Sequence, residues 1–274
     1  MGRKEVDHDS RRKFLQQAGY TAFAIFLASQ LPTRLLLNEE QLGYFEEIDE
    51  ETKSQLLQFN PVTIAHRGGN SLDNLNKSMG AGVDFVEADI RSKGNLIAVA
   101  HERYWGPFAY DRKRRFLRLG DPSFLINDLV RLAKSRGQNI LFDFQNIPQD
   151  HAGKIADVIL ESGLASQSTF CGDWGMLDKL SKIFNNNSNF FYTIKNAHSL
   201  TEFINQQQQR QARGVSLDAS LASEEALALL RQIGISVFVY GIHDSKKALR
   251  VLELGAGGLI SNNLDILKVW NNNT

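Results

Sequence analysis

Cysteine is almost absent. Cys171 stands alone, so no intramolecular disulfide and no Cys-x-x-Cys zinc or redox site can form within the chain. Net charge is missing too: 31 basic and 31 acidic side chains leave +0, and nothing in that balance points to nucleic acid. Long apolar runs are also lacking. YTAFAIFLASQL, residues 20–31, is too short to read as a membrane span. What remains, 274 residues of which 42% are hydrophobic, is enough for one sizeable core.

The N-terminal stretch SRRKFLQQAG, residues 10–19, precedes that apolar run and Pro32. Paired arginines, Phe14 and Leu15, then a modest apolar segment are similar to a bacterial twin-arginine export signal. Residues 1–34 are therefore expected to direct export to the periplasm or to tether the protein to the outer face of the cytoplasmic membrane. Membrane contact is expected through this segment. Residues 35–60 are acidic, carry leucines at helical spacing and read as a linker helix before a domain at 61–274.

From Pro61 the chain alternates β-branched or aromatic runs with helical segments. The runs are VTIAHR, DFVEADI, NILFDFQ, STFCGD, NFFYTI, GVSLDA, SVFVYGI and GGLISNN. Between them lie periodic stretches such as SFLINDLVRLAKSRG and SEEALALLRQIG, closed by glycine. Eight such alternations predict an α/β fold, a (β/α)8 TIM barrel, ahead of a doubly wound open sheet. NLIAVAHE follows DIRSKG so closely that it is expected to form an extra hairpin after the second strand. The QQQQ tract at 206–209 reads as part of an exposed helix.

Chemistry in such a barrel sits at the carboxyl ends of the strands. There stand His66 and Arg67, Glu87 and Asp89, Asp143 and Gln145, Lys195 and His243, with His101 on the hairpin. Strand alternation puts Glu87 and Asp89 on one face, where two carboxylates repel unless a cation or a solvated site lies between them. Asp173, Asp218 and Asn262 read as strand-end caps, and His8, His151 and His198 as surface residues.

Taken together, AHRGG, DFVEADI, AVAHE, the acid of LFDFQ and VFVYGIHD…LELGAGGLISNN resemble the glycerophosphodiester phosphodiesterase family and its metal-dependent relatives among the phospholipases. The resemblance spans residues 63–265. It implies hydrolysis of glycerophosphodiesters to glycerol 3-phosphate and an alcohol. By the same resemblance Glu87, Asp89 and Asp143 hold a divalent cation, Mg²⁺ or Ca²⁺, His66 and His101 serve as acid and base, and Arg67 grips the phosphate. These types suit the reaction, because a hard cation offsets charge growing on phosphorus and imidazoles titrate near working pH. Expected partners are small phosphodiesters or lysophospholipids.

The departures from the family pattern are specific. Asp73, Asn74 and Leu75 stand where Glu-Asn-Thr is usual, Glu102 follows His101 in place of aspartate, and the third acid is Asp143 where the family prefers glutamate. Gln145 replaces the lysine two residues on, and Tyr240, Gly241, Ile242 and His243 replace Trp-Thr-Val-Asn. Gln145, Lys195, Tyr240 and His243 are expected to face the substrate, with Lys195 or protonated His243 supplying the missing charge. Two readings stay open beside the first: a phosphodiesterase directed at lysophospholipids, and a drifted, non-catalytic phosphate or lipid binding barrel. An aldolase-like enzyme would need Lys195 as its Schiff base, and no partner set surrounds it.

Overall fold

The computed structural model describes residues 48–102, 104–105, 108–111, 116–119, 122, 124–185, 188–210 and 212–271, with the backbone alone for the stretch between 104 and 119. The twin-arginine-like segment and the first part of the expected linker helix lie outside the described residues, as do the side chains of the aromatic stretch RYWGPFAY, residues 103–110, beside His101. Among the described residues twelve strands follow in order: β1 (Val62–Ala65), β2 (Phe85–Lys93), β3 (Leu96–Val99), β4 (Tyr104–Trp105), β5 (Phe108–Asp111), β6 (Phe116–Leu119), β7 (Asn139–Phe144), β8 (Ser168–Gly172), β9 (Asn189–Ile194), β10 (Gly214–Asp218), β11 (Ser236–Ile242) and β12 (Gly258–Ser261).

Eight of these, β1, β2 and β7 to β12, form a parallel sheet that closes when β1 pairs with both β12 and β2. Helices connect the successive strands, so the expected (β/α)8 TIM barrel is the fold. All eight runs picked out in the sequence are its strands. The expected hairpin is also present: β3 pairs antiparallel with β2 across Gly94 and Asn95, bonded outside the ring. After it, β4, β5 and β6 form a small antiparallel sheet that the sequence reading did not separate from loop.

Two apolar layers hold the barrel. Inside, Ile64, Leu141, Cys171, Phe191, Phe238 and Ile260 make a thin plug, with Phe191 and Phe238 stacked at 4.1 Å. Room for these rings comes from glycine, since a Cβ on Gly258 would sit 2.6 Å from Phe238 Cδ1. Outside, Phe142, Phe144, Phe170, Phe184 and Phe190 stack between sheet and helices.

Strand ends pass into helices through side-chain caps. Ser71, Asp173, Ser223 and Asp244 each accept a backbone N–H of the helix they begin, worth about 1 kcal/mol apiece. Helix Glu50–Leu56 buries Leu56, and the Trp270 indole donates to the Phe59 carbonyl at 3.0 Å behind it. The glutamines at 206–209 belong to the partly exposed helix Ala197–Arg210. Among the described residues no helix is long and apolar enough to cross a membrane.

Candidate active site

The HRGG turn leaves β1 at the carboxyl end of the barrel. His66 N donates to the Ser261 carbonyl at 2.9 Å, which ties the turn to β12. Arg67 then adopts a left-handed backbone, φ 57°, a conformation rarely taken by non-glycine residues and often found at functional sites. Its amide donates to Glu87 Oε2 at 2.5 Å, and Asn74 Nδ2 donates to its carbonyl at 3.1 Å. The two glycines are demanded by close approach. A Cβ on Gly68 would lie 2.6 Å from Ser78 Oγ, and one on Gly69 would lie 2.8 Å from Ala88 Cβ, where the Gly69 amide bonds the Glu87 carbonyl at 2.7 Å.

Strand register gathers the acids. Asp89 and Asp143 are direct neighbours across β2 and β7, and Glu87 lies two residues earlier on the same face of β2. Glu87 and Asp89 are buried, and one ligand oxygen from each of the three acids lies within 4.8 Å of the other two. Asp89 accepts from Asn70 Nδ2 at 2.7 Å, while its own amide donates to Asn70 Oδ1 at 2.8 Å. Gln145 Nε2 donates to Asp143 Oδ2. Glu87 Oε1 and Asp143 Oδ1 are left buried with no hydrogen-bond partner among the described residues.

The protonation of this cluster follows from its surroundings. Burial, then the charges of Asp89 and Asp143, push Glu87 well above the usual carboxylate range. Burial and the Asp89 charge push Asp143 up to about 6, against the Gln145 hydrogen bond and the Lys195 charge. Burial would raise Asp89 also, but the hydrogen bond and charge of His101, with the charges of His66 and Arg67, hold it well below its ordinary value. Three clustered carboxylates, two of them buried and one part-buried, of which Glu87 and Asp143 each keep an oxygen without a partner among the described residues, fit a hard divalent cation that takes oxygen ligands.

Basic groups surround the acids. His101 Nδ1 lies 3.3 Å from Asp89 Oδ2, and Arg67 Nη2 lies 3.0 Å from His101 Nε2. A guanidinium can only donate, so Nε2 is the acceptor and a neutral His101 carries its proton on Nδ1, toward Asp89. Arg67 Nε is 3.7 Å from the same Asp89 oxygen. Arg91, which the sequence reading passed over, is buried: its Nε donates to the His101 carbonyl at 3.1 Å and its Nη1 to the Gln145 carbonyl at 3.3 Å. It ties the hairpin histidine to the end of β7. Its signal was available, since Arg91 continues the alternation of Glu87 and Asp89.

The expected substrate-facing residues divide. Gln145 and Lys195 line a cleft of about 280 Å³ at the ends of β7, β8 and β9, with Asn146, Asp173, Trp174 and Thr193. The Gln145 amide, however, is turned onto Asp143, so it positions an acid rather than presenting itself wholly to a ligand. Lys195 is exposed at the end of β9. Tyr240 is part-buried against the inner plug, with its hydroxyl donating to the Ile194 carbonyl at 3.4 Å and its titration raised by burial and Asp218. His243 is exposed, one residue past the end of β11. Asp173 and Asp218 cap, as expected, through Met176 N and Ser220 N. Asn262 does not: it is 3% exposed, and neither of its amide atoms has a partner among the described residues. Asp73 is exposed and pairs with Lys77 at 2.8 Å, away from the acids.

Gly172 is where β8 skirts the acids. Its φ is 109°, and a Cβ there would overlap the Phe144 carbonyl oxygen and lie 2.5 Å from Asp143 Oδ1. Beside it Cys171 packs beneath Asp143, its thiol pushed well up by burial and by the charges of Asp143 and Glu87.

No family model matches the chain, and no curated protein matches it in sequence. Solved structures do match in fold. A phosphodiesterase of Oleispira antarctica, in complex with the product sn-glycerol-3-phosphate, is similar over 79% of this chain and 99% of its own, with 14% identity and TM-score 0.60. A glycerophosphodiester phosphodiesterase of Parabacteroides distasonis is similar over 78% of this chain and 99% of its own, with 14% identity and TM-score 0.62. One of Thermotoga maritima is similar over 78% and 98%, with 19% identity and TM-score 0.58. At these identities the likeness establishes the barrel fold.

Proposed function

We propose that this chain hydrolyses glycerophosphodiesters to sn-glycerol 3-phosphate and an alcohol. The carrying observation is the cluster of buried Glu87 and Asp89 with part-buried Asp143, two of whose carboxylate oxygens have no partner among the described residues, with histidines from the turn after β1 and from the hairpin beside it. The solved structures of like fold, one of them holding sn-glycerol-3-phosphate, support the substrate class.

In this reading Glu87, Asp89 and Asp143 hold a divalent cation, Mg²⁺ or Ca²⁺, whose charge offsets that growing on the phosphoryl oxygens. Arg67 leaves His101 for a phosphate oxygen, to which its planar fork is suited. His101 Nε2 is thereby freed to take or give a proton, while the 3.3 Å ionic contact of Nδ1 with Asp89 favours the ring's orientation. Asn70 and Gln145 hold the acids in place. His66 and His101 divide the two proton transfers, one deprotonating the attacking oxygen and the other protonating the departing alkoxide.

The test is reconstitution. Chelated protein should regain turnover of glycerophosphocholine when Mg²⁺ or Ca²⁺ is restored, and Glu87→Gln should regain little. Turnover that survives chelation, or a Glu87→Gln variant as active as the parent, would remove the reading.

A further inference from the structure

Asn262 is buried at the barrel mouth, and neither polar atom of its side chain has a partner among the described residues. Its neighbours are fully employed on the helix side of the strand: Ser261 Oγ donates to the Ile242 carbonyl at 2.7 Å and accepts from Asn263 N at 2.9 Å. Asn263 Oδ1 accepts from Asp265 N at 3.0 Å and Ile266 N at 3.4 Å, capping helix Leu264–Lys268. Two residues before Asn262, Ile260 belongs to the plug inside the barrel. The alternation therefore carries Asn262 to the inner side, above the plug, on the rim next to His66, whose amide bonds the Ser261 carbonyl.

A buried amide without partners is unfavourable, and such groups persist where a ligand or water completes them. Here both halves are buried and lack a partner among the described residues, so a completing group must donate to Oδ1 and accept from Nδ2. Phosphate oxygens only accept and would leave Oδ1 unpaired. A hydroxyl does both, and glycerol carries two on adjacent carbons. Resting on the phosphodiesterase reading, we propose that Asn262 binds a hydroxyl of the substrate's glycerol moiety and so selects for phosphates that carry one. A site built around a hydroxyl rejects analogues that lack it, because its own buried groups are then left unpaired.

The experiment compares two phosphates by calorimetry on the full chain with Mg²⁺ present: sn-glycerol 3-phosphate and n-propyl phosphate, which lacks both hydroxyls. Wild type should bind the first on the order of tenfold to a hundredfold more tightly. Asn262→Leu should bind the two alike, by losing affinity for the first alone. Its melting temperature should equal or exceed that of wild type, since an unpartnered buried amide has been replaced by an apolar group of similar size. A purely structural asparagine would instead give a lower melting temperature and an unchanged preference. Equal binding of both phosphates by wild type would sink the inference without any variant, as would a preference that survives in Asn262→Leu. Binding of neither phosphate would overturn the phosphodiesterase reading beneath it.

Discussion

Gln145 and Asp143 leave β7 two residues apart, and the Gln145 amide donates to Asp143 Oδ2, leaving Oδ1 free and buried. Where a lysine would place a full charge beside this acid, glutamine fixes its orientation and leaves its charge for another partner. Groups that orient a ligating carboxylate typically contribute tenfold to a hundredfold in cation affinity. Gln145→Leu should therefore weaken Mg²⁺ or Ca²⁺ binding by about that factor in a calorimetric titration. Unchanged affinity would mean that the hydrogen bond does not position Asp143.

The acids set a pH dependence of opposite sign in the free and cation-loaded protein. Asp143 is raised from 3.8 to about 6, so in that window the folded chain holds a proton that the unfolded chain has lost. Its contribution to stability is greatest at low pH and falls as pH rises from about 4 to about 6. Glu87, also raised, acts in the same direction. Asp89, held low, contributes stability above its unfolded value and loses it only in stronger acid, so it is constant across this window. A cation must displace the protons on Asp143 and Glu87, and its affinity weakens as pH falls below about 6. The rise in melting temperature on adding Mg²⁺ should be larger at pH 7 than at pH 5. An equal rise at both would contradict the assignment.

Lys195 lines the cleft beside Gln145, and its charge acts on Asp143. Lys179 is exposed on helix Trp174–Ile183 and lines no part of that cleft. If Lys195 supplies the charge that Gln145 lacks, Lys195→Met should lower kcat/KM by at least about tenfold, and less at high salt because the group is exposed. Lys179→Met should change it little. Equal small effects would remove Lys195 from the site.

Gly172→Ala tests the packing that carries the acids. The positive φ costs an alanine on the order of 1–3 kcal/mol, and the added methyl meets a carbonyl oxygen and Asp143 Oδ1. Chemical denaturation should show that loss, with weakened cation binding. A variant as stable as the parent would show that β8 can move away from Asp143.

Much of this was legible because strand alternation is a local rule. Eight β-branched or aromatic runs located the barrel strands, and the spacing of Glu87 and Asp89 put both on one face. The neighbouring of Asp89 and Asp143 was not local: it depends on the register between strands more than forty residues apart. Gln145 was expected to face substrate, but the direction of its amide is decided by Asp143, which composition cannot show. Asn262 was expected to cap a strand end from its place after the last strand, but it is its neighbours Ser261 and Asn263 whose side chains serve the backbone. The short strands β4 to β6 were missed because pairs and fours of residues carry too little alternation to separate from a loop.

The central claim is tested most directly by following the phosphorus itself. Glycerophosphocholine incubated with the full chain and Mg²⁺ or Ca²⁺ should lose its diester ³¹P resonance and gain that of sn-glycerol 3-phosphate, with choline released. His66→Ala and His101→Ala should leave the diester intact. A diester signal unchanged by the wild-type protein with either cation, or consumed equally by both histidine variants, would contradict the account.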